Sequence, residues 1–322
     1  MILIIAEGLG FGHLRRMERL RSYFEKKGEE CLLLTDTKME GEADADFLPI
    51  SVPIHIEKNQ IRLGTTMLEI MKKSNPLTIN KIYNYVKRHN PEKVIVDTNL
   101  FSLAALTLLR KPVYYVTNNN DLSVFTSNGI LDQGSNLLVS LIESRSQRVF
   151  VPDFPHPFSV CEYNLEIKNS SKYLFVGPMV ERSASRKAKG RALFSFGKES
   201  HHYSKFLSMK TSFKKVLPDA EDPYAAEVVV SHGGHTTIME SLSKGIPMVL
   251  LPFTNYGERV NNAKKAVEMG VAVSANPAVL SEQGLEMAIE KAASLAPNAS
   301  IFKKKAGEMD PYKAIYEEVF GA

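Results

Sequence analysis

The chain has 322 residues, of which 44% are hydrophobic and 24% charged, with a formal net charge of +4. That length points to two domains of ordinary size, and the composition to a soluble globular protein. No apolar run approaches the roughly 20 residues of a membrane span, and the two cysteines, Cys31 and Cys161, lack a CxxC partner. A disulfide framework or metal knuckle is not expected, and a reducing cytoplasm fits.

The start, Met1 to Gly8, is too short for a signal-peptide core and reads as a buried strand over Ile2–Ala6. Leu14, Met17, Leu20 and Phe24 share one face of a helix over Gly12–Lys27. A strand follows at Glu30–Leu34, then an acidic loop around Glu40–Asp46 and helices at Thr65–Lys73 and Ile79–Arg88. Strands at Lys93–Asp97 and Pro112–Thr117 flank a helix at Phe101–Leu109; a helix at Leu137–Glu143 leads to a strand at Arg148–Pro152. Residues Asp153–Asn169 read as loop and Tyr173–Pro178 as one more strand. Continuous apolar strands between helices indicate a parallel sheet covered on both faces.

The Ser/Arg/Lys-rich segment Glu181–Arg191 reads as a linker into a second α/β unit. That unit has strands at Ala192–Gly197, Glu227–Val230, around Val249 and at Val271–Val273, with a helix at Glu258–Met269 and last helices at Glu282–Ser294 and Pro311–Phe320. The expected organisation is a domain over 1–180, a second over 181–305, and a C-terminal helical segment, 306–322, packing back on the first. Two such halves enclose a cleft at the C-terminal ends of their strands, where open α/β sheets bind ligands. The basic clusters at Arg15, Arg16, Arg19, Arg21, Lys26 and Lys27, at Lys72–Arg88 and at Arg182–Arg191 read as solvated faces and a basic linker, or as a surface for anionic lipid headgroups or an anionic acceptor. Nucleic acid is not expected, because no aromatics interleave with them.

The most informative stretch is Ser231-His232-Gly233-Gly234-His235-Thr236-Thr237-Ile238-Met239-Glu240, a strand, a glycine turn and a helix start. Free N–H groups and the positive end of the helix dipole make an anion site there, most naturally for phosphate. Glu240 lies beside whatever extends from that phosphate. Gly8-Leu9-Gly10-Phe11-Gly12-His13 departs from a dinucleotide fingerprint by placing an imidazole at a glycine-rich helix start, although Asp36 stands roughly where a ribose-binding acid would. The dipole there disfavours imidazolium, so His13 is either a neutral proton acceptor or an ordinary N-terminal polar residue. Asp97 ends its strand on the same sheet edge and either orients His13 or caps the next helix with Thr98 and Asn99. Asp44-Ala45-Asp46, His201-His202 and the His232/His235 pair carry weak metal signals, and no metal is expected.

These motifs resemble the two-domain GT-B glycosyltransferases, especially inverting nucleotide-sugar enzymes related to UDP-glycosyltransferases and the peptidoglycan N-acetylglucosaminyl transferase. The resemblance spans the chain and rests on His232, Gly233, Gly234, Thr237, Glu240, Gly245, Pro247, Pro252, Asn262 and Ala263. It implies two Rossmann-like domains facing across a cleft. It also implies transfer from a UDP-sugar co-substrate to an acceptor hydroxyl, with His13 as base and Asp97 as its partner and no further cofactor. His232, Gly234 and Thr237 would hold the diphosphate and Glu240 the ribose. Gly197, Lys198, Gly233, His235, Thr236, Glu258 and Arg259 complete the donor side, and Gly10, Phe11, Gly12, Asn118 and Asn119 the acceptor-side loops. Two departures stand out. Glu258-Arg259 replaces the usual Asp-Gln or Gln-Gln pair, so donor-sugar recognition is expected to differ, with Arg259 reaching a carboxylate or phosphate instead. The chain between the Phe194 and Val228 strands is short and shows no clear additional strand, which pares down the base pocket. A lipid-linked acceptor with peripheral membrane attachment stays open, as does the oligomeric state. Competing readings are a nucleotide-sugar epimerase or hydrolase, a non-catalytic nucleotide-sugar binder and, from the first glycine loop, a dehydrogenase.

Overall fold

The computed structural model describes residues 1–8, 11–35, 45–48, 56–57, 60–61, 76–121, 129–181, 188–253 and 256–321. The expected helix at Thr65–Lys73, Asp36, Asp44, Gly10 and most of the basic linker lie outside them. Chain order begins β1 (Ile2–Ala6), α1 (Phe11–Lys26), β2 (Cys31–Thr35), β3 (Asp46–Phe47) and a small antiparallel pair, β4 (Ile56–Glu57) and β5 (Gln60–Ile61). It continues α2 (Pro76–His89), β6 (Lys93–Asp97), α3 (Leu100–Leu109), β7 (Val113–Val116), α4 (Gly129–Arg145), β8 (Ser146–Val151) and β9 (Tyr173–Phe175). Among the described residues these strands form a seven-stranded parallel sheet in the order β3-β2-β1-β6-β7-β8-β9.

Every residue of β1 is buried, because both faces are covered. Leu3 and Ile5 pack into one core with Val94 and Val96, while Ile2, Ile4 and Ala6 join Leu14, Met17, Leu20 and Phe24 of α1 on the other. The period-2 alternation thus feeds two helix layers, as the continuous apolar strands require.

The second unit runs β10 (Arg191–Ser195), a 3-10 stretch at Gly197–Tyr203, α5 (Ser204–Ser208), β11 (Lys214–Val216), β12 (Val228–Ser231), α6 (His235–Lys244), β13 (Met248–Leu250), α7 (Gly257–Glu268), β14 (Ala272–Ser274), α8 (Glu282–Ala293) and α9 (Ala296–Glu308). Its five parallel strands are ordered β11-β10-β12-β13-β14. Two elements correct the sequence reading. β11 is an additional strand between β10 and β12, hidden because its Lys214 and Lys215 give no apolar run. α9 fills the gap left after residue 294; its start carries Pro297, which is well placed in a first helical turn. The helix expected at Leu137–Glu143 is also longer, spanning α4, because two glycines in residues 129–136 masked its first turns.

The final helix, α10 (Pro311–Phe320), returns to the first sheet. Ile315 and Val319 are buried in the α1 core, Tyr316 packs edge-on to Phe24 with ring centres 5.6 Å apart, and Lys93 donates to the Val319 carbonyl at 2.6 Å. Asp310 caps it by accepting from the Lys313 N–H.

Candidate functional site

Strand order locates the site before any side chain is considered. Each sheet reverses direction of winding once, between β1 and β6 in the first and between β10 and β12 in the second. The crevice outside the carboxyl ends of such strands is where a ligand fits. The carboxyl ends of these four strands and the segments that follow them carry His13, Asp97, Gly197 and His232.

On the first sheet, Ala6 pairs with Asp97 in register, so both strands end together. His13 sits in the first turn of α1 with its ring Nδ1 3.1 Å from Asp97 Oδ1. Asn99, not Asp97, caps α3: its carbonyl oxygen accepts from the N–H and hydroxyl of Ser102. Asp97 is therefore available to α1. Thr98 next to it adopts a left-handed φ of 57°, costly for a β-branched residue and typical of sites where geometry is imposed. Arg16, one helical turn beyond His13 and buried, grips Asp97 with a fork: Nε donates to Oδ2 at 2.7 Å and NH2 to Oδ1. Burial alone would raise the Asp97 pKa, but the Arg16 guanidinium and the His13 imidazole beside it hold its carboxyl well below the usual carboxylate range.

On the second sheet, β12 delivers a turn in which Gly233 has a φ of +88° and a Cβ there would lie 3.1 Å from the Arg259 carbonyl oxygen. A Cβ on Gly234 would lie 2.6 Å from His232 Cε1, so neither glycine tolerates a side chain. The buried Asn262 donates to the Gly233 carbonyl at 3.1 Å and fixes the turn. His232 Nδ1 accepts the Gly234 N–H at 3.0 Å, which puts the ring proton on Nε2. Burial, then the Arg259 charge, pushes the His232 pKa well below the ordinary value, so the ring is a neutral donor. The Gly234 amide is thereby used within the turn. The amides of His235, Thr236 and Thr237 in the first turn of α6 remain for an anion; the helix ladder begins with Ile238 N–H to the Gly234 carbonyl. Gly197, after β10, lies over the same ring, since a Cβ there would be 3.7 Å from His232 Nε2. Glu240 accepts a hydrogen bond from the Tyr224 hydroxyl.

The halves meet. A Cβ on Gly12 would overlap Thr236 Oγ1 and lie 2.9 Å from Thr236 Cβ. Asn118, in the loop after β7, donates to Glu258 Oε1 at 3.0 Å and accepts from Arg16 NH1 at 3.4 Å. A cleft of about 1010 Å³ opens between α1 and the 218–224 segment, lined by Arg15, Arg19, Ser195, Tyr224, Glu240 and Lys244 among others.

Residues 192–315 match the glycosyltransferase family 28 C-terminal domain. The fold is that of the GT-B glycosyltransferases, and the second half carries a glycosyltransferase domain. The chain is similar to a Methanosarcina acetivorans protein named only as a glycosyltransferase, 22% identical over 98% of this chain and 96% of its own length. A Methanosarcina mazei protein of the same description is 24% identical over 74% of each chain. Similar solved structures are the spinosyn forosaminyltransferase SpnP (TM-score 0.68, 14% identity, 98% of this chain and 97% of that one) and the calicheamicin glycosyltransferase CalG4 (TM-score 0.65, 16%, 98% and 96%). A third is Phytolacca americana UGT2, solved with UDP-2-fluoro-glucose and pterostilbene (TM-score 0.61, 15%, 95% and 94%).

Of the residues expected at the site, the structure links His13 to Asp97 and Asn118 to Glu258, sets Gly12 against Thr236, and gathers Gly197, Gly233 and Gly234 at the His232 ring and its turn, while Glu240 lines the cleft beside Tyr224. His235 is a correction. Its ring turns away from the crevice to Asp153, with Nε2 3.2 Å from Oδ2, leaving only its amide at the helix start. Asn119 shapes its own turn, its side chain accepting from the Asp121 N–H at 3.1 Å. Arg259 is stacked on Tyr256, 4.1 Å from the ring centre. The Lys198 and Phe11 side chains lie outside the described residues, as does all of Gly10. Sequence reasoning counted Arg16 within a basic cluster; its i,i+3 spacing from His13 was the available signal. Tyr224 and Asp153 gave none. Asp153, Cys161 and His235 have ligand atoms within 4.8 Å of one another, as a metal would need. The Asp153 oxygens, however, already accept from the Phe154 and Cys161 amides at 2.7 and 2.8 Å and from His235, which is the pattern of a structural knot.

Proposed function

We propose that this glycosyltransferase moves a sugar from a nucleoside-diphosphate sugar, a UDP-sugar before others, to an acceptor hydroxyl with inversion at the anomeric carbon. The observation that carries this is the apposition of the His13–Asp97 pair with the start of α6, Gly12 lying directly against Thr236. With Nδ1–H donated to Asp97, His13 Nε2 takes the acceptor proton. The acceptor oxygen attacks the anomeric carbon while the bond to the diphosphate oxygen breaks on the opposite face. Charge growing on the leaving group meets the dipole and amides of the first turn of α6, the threonine hydroxyls and the His232 Nε2–H. That stabilisation makes the step metal-independent in our reading. Glu240, steadied by Tyr224, takes the ribose hydroxyls, and the UDP analogue seated in the Phytolacca enzyme supports a uridine donor.

Among the described residues no helix is long and apolar enough to cross a membrane. A cytoplasmic enzyme meeting a hydroxyl acceptor, lipid-linked ones included, is the reading to test. His13→Ala is expected to keep donor binding, read as thermal stabilisation by UDP-sugars, and to lose transfer by roughly 10²–10⁴-fold. Retained transfer removes His13 as base, and the absence of stabilisation by any nucleoside diphosphate removes the donor. Donor interconversion without acceptor identifies an epimerase, donor loss to water a hydrolase, and binding without turnover a non-catalytic protein.

A further inference from the structure

His13 has two neighbours competing for one nitrogen. Its Nδ1 lies 3.1 Å from Asp97 Oδ1 and 3.0 Å from Arg16 NH2. Guanidinium only donates, so a lone pair on Nδ1 would face Arg16, whereas a proton there must go to Asp97. The first arrangement leaves the proton on Nε2, where His13 cannot accept another; the second frees Nε2 to act as base. Asp97 Oδ1 is meanwhile shared by Arg16 NH2, the Thr98 hydroxyl at 3.0 Å and His13. Arg16 is almost fully buried and has little room to move away from the pair.

We propose that Arg16 is a positioning residue for the His13 base: its fork fixes the Asp97 carboxylate so that Oδ1 takes the proton on Nδ1 and Nε2 stays free, while its charge beside the ring opposes a second ring proton. The same guanidinium reaches Asn118, which is bonded to Glu258 on the donor domain, so the control of His13 is physically joined to the apposition of the two halves. Other charges facing this pocket are Glu7, which accepts from Asn99 at 2.9 Å, and Glu258 itself. Neither replaces a cation in contact with the imidazole.

The inference rests on the reading of His13 as base, and its test separates the two. Arg16→Gln removes the positive charge and leaves Asp97 unopposed, both of which favour imidazolium. The expected result is a fall in kcat of roughly tenfold or more at pH 7, donor KM within about threefold of wild type, and the acid limb of the pH profile moved up by about one pH unit. Nitrogen-15 spectra of the His13 ring in the free protein should move toward the imidazolium pattern at pH 7. Arg16→Lys keeps the charge and is the variant to read if Arg16→Gln does not fold. It should leave the acid limb in place, lose kcat with the lost fork, and show a mixture of ring tautomers. Superimposable pH profiles and unchanged ring spectra in Arg16→Gln, or Arg16→Lys matching wild type in both kcat and spectra, overturn the proposal. If His13→Ala retains transfer the functional reading fails, while the ring spectra still report whether Arg16 governs His13.

Discussion

Replacing Gly12 by Ala places one methyl group at the junction of the two halves. The new Cβ would overlap Thr236 Oγ1 and sit 2.9 Å from Thr236 Cβ. The hydroxyl can rotate away, but Cβ moves only with its backbone. Restoring an ordinary carbon contact of about 3.5 Å needs the faces to part by roughly 0.6 Å. Displacements of about 1 Å between reacting groups cost on the order of 100-fold, so a fall in kcat of roughly 10- to 100-fold is expected. Stability should move the other way. Gly12 is helical with no positive φ, and Ala in a helix is favoured by about 0.5–1 kcal/mol. Steady-state transfer and thermal unfolding of the same preparation measure both. The obstruction is also relieved from the other side: in a Thr236→Gly background the Gly12→Ala penalty should shrink to within about threefold, a coupling that a double-mutant cycle reads directly. Wild-type turnover in Gly12→Ala, or an undiminished penalty in the double variant, refutes the apposition.

Two further outcomes follow from the same structure. Asp153→Ala strands the amides of Phe154 and Cys161 and the buried ring of His235, so the denaturant midpoint should drop by an amount equivalent to about 3 kcal/mol or more; a loss under about 1 kcal/mol contradicts the knot. His232 is neutral in the fold because burial lowers its pKa, whereas in the unfolded chain it titrates near 6.5. Unfolding therefore takes up a proton below that pH. Its contribution is intact above about pH 6.5 and lost on acidification at up to about 1.4 kcal/mol per pH unit. His232→Gln should flatten that part of the stability profile between pH 6.5 and 5, and an identical slope in the variant counts against a neutral buried ring.

The fold was legible wherever burial and local chemistry agreed. β1, β6 and β12 are apolar because they are covered on both faces, and the α1 face at Leu14, Met17, Leu20 and Phe24 follows the helical period. β11 was not, because its lysines use their length elsewhere: Lys215 reaches the carbonyls of Phe206, Leu207 and Met209, a tertiary arrangement that propensity cannot show. In the site, the glycines and His13 were readable from spacing. The partners were not: Asp153 meets His235 across 82 positions and Arg16 meets Asp97 across 81. Arg16 illustrates the limit best, since a basic cluster on a helix gives no hint which member turns inward.

The boundary between the halves is chemically uneven. On one side Phe154 packs edge-on to Phe302, ring centres 5.4 Å apart, within a buried cluster that also holds Val160, Val180, Leu242 and Met248, with the Asp153–His235 contact beside it. At the crevice Asn118, held from its own side by the buried Arg16, donates across to Glu258 in a part-buried polar contact. Water can replace an amide–carboxylate hydrogen bond at little net loss, but it cannot replace apolar contact. Separation of the halves therefore costs least at the crevice and most on the apolar side. That asymmetry suits a site that must admit two substrates and then exclude water around them. It also puts Gly12 and Thr236, where an added Cβ would collide across the halves, on the polar side.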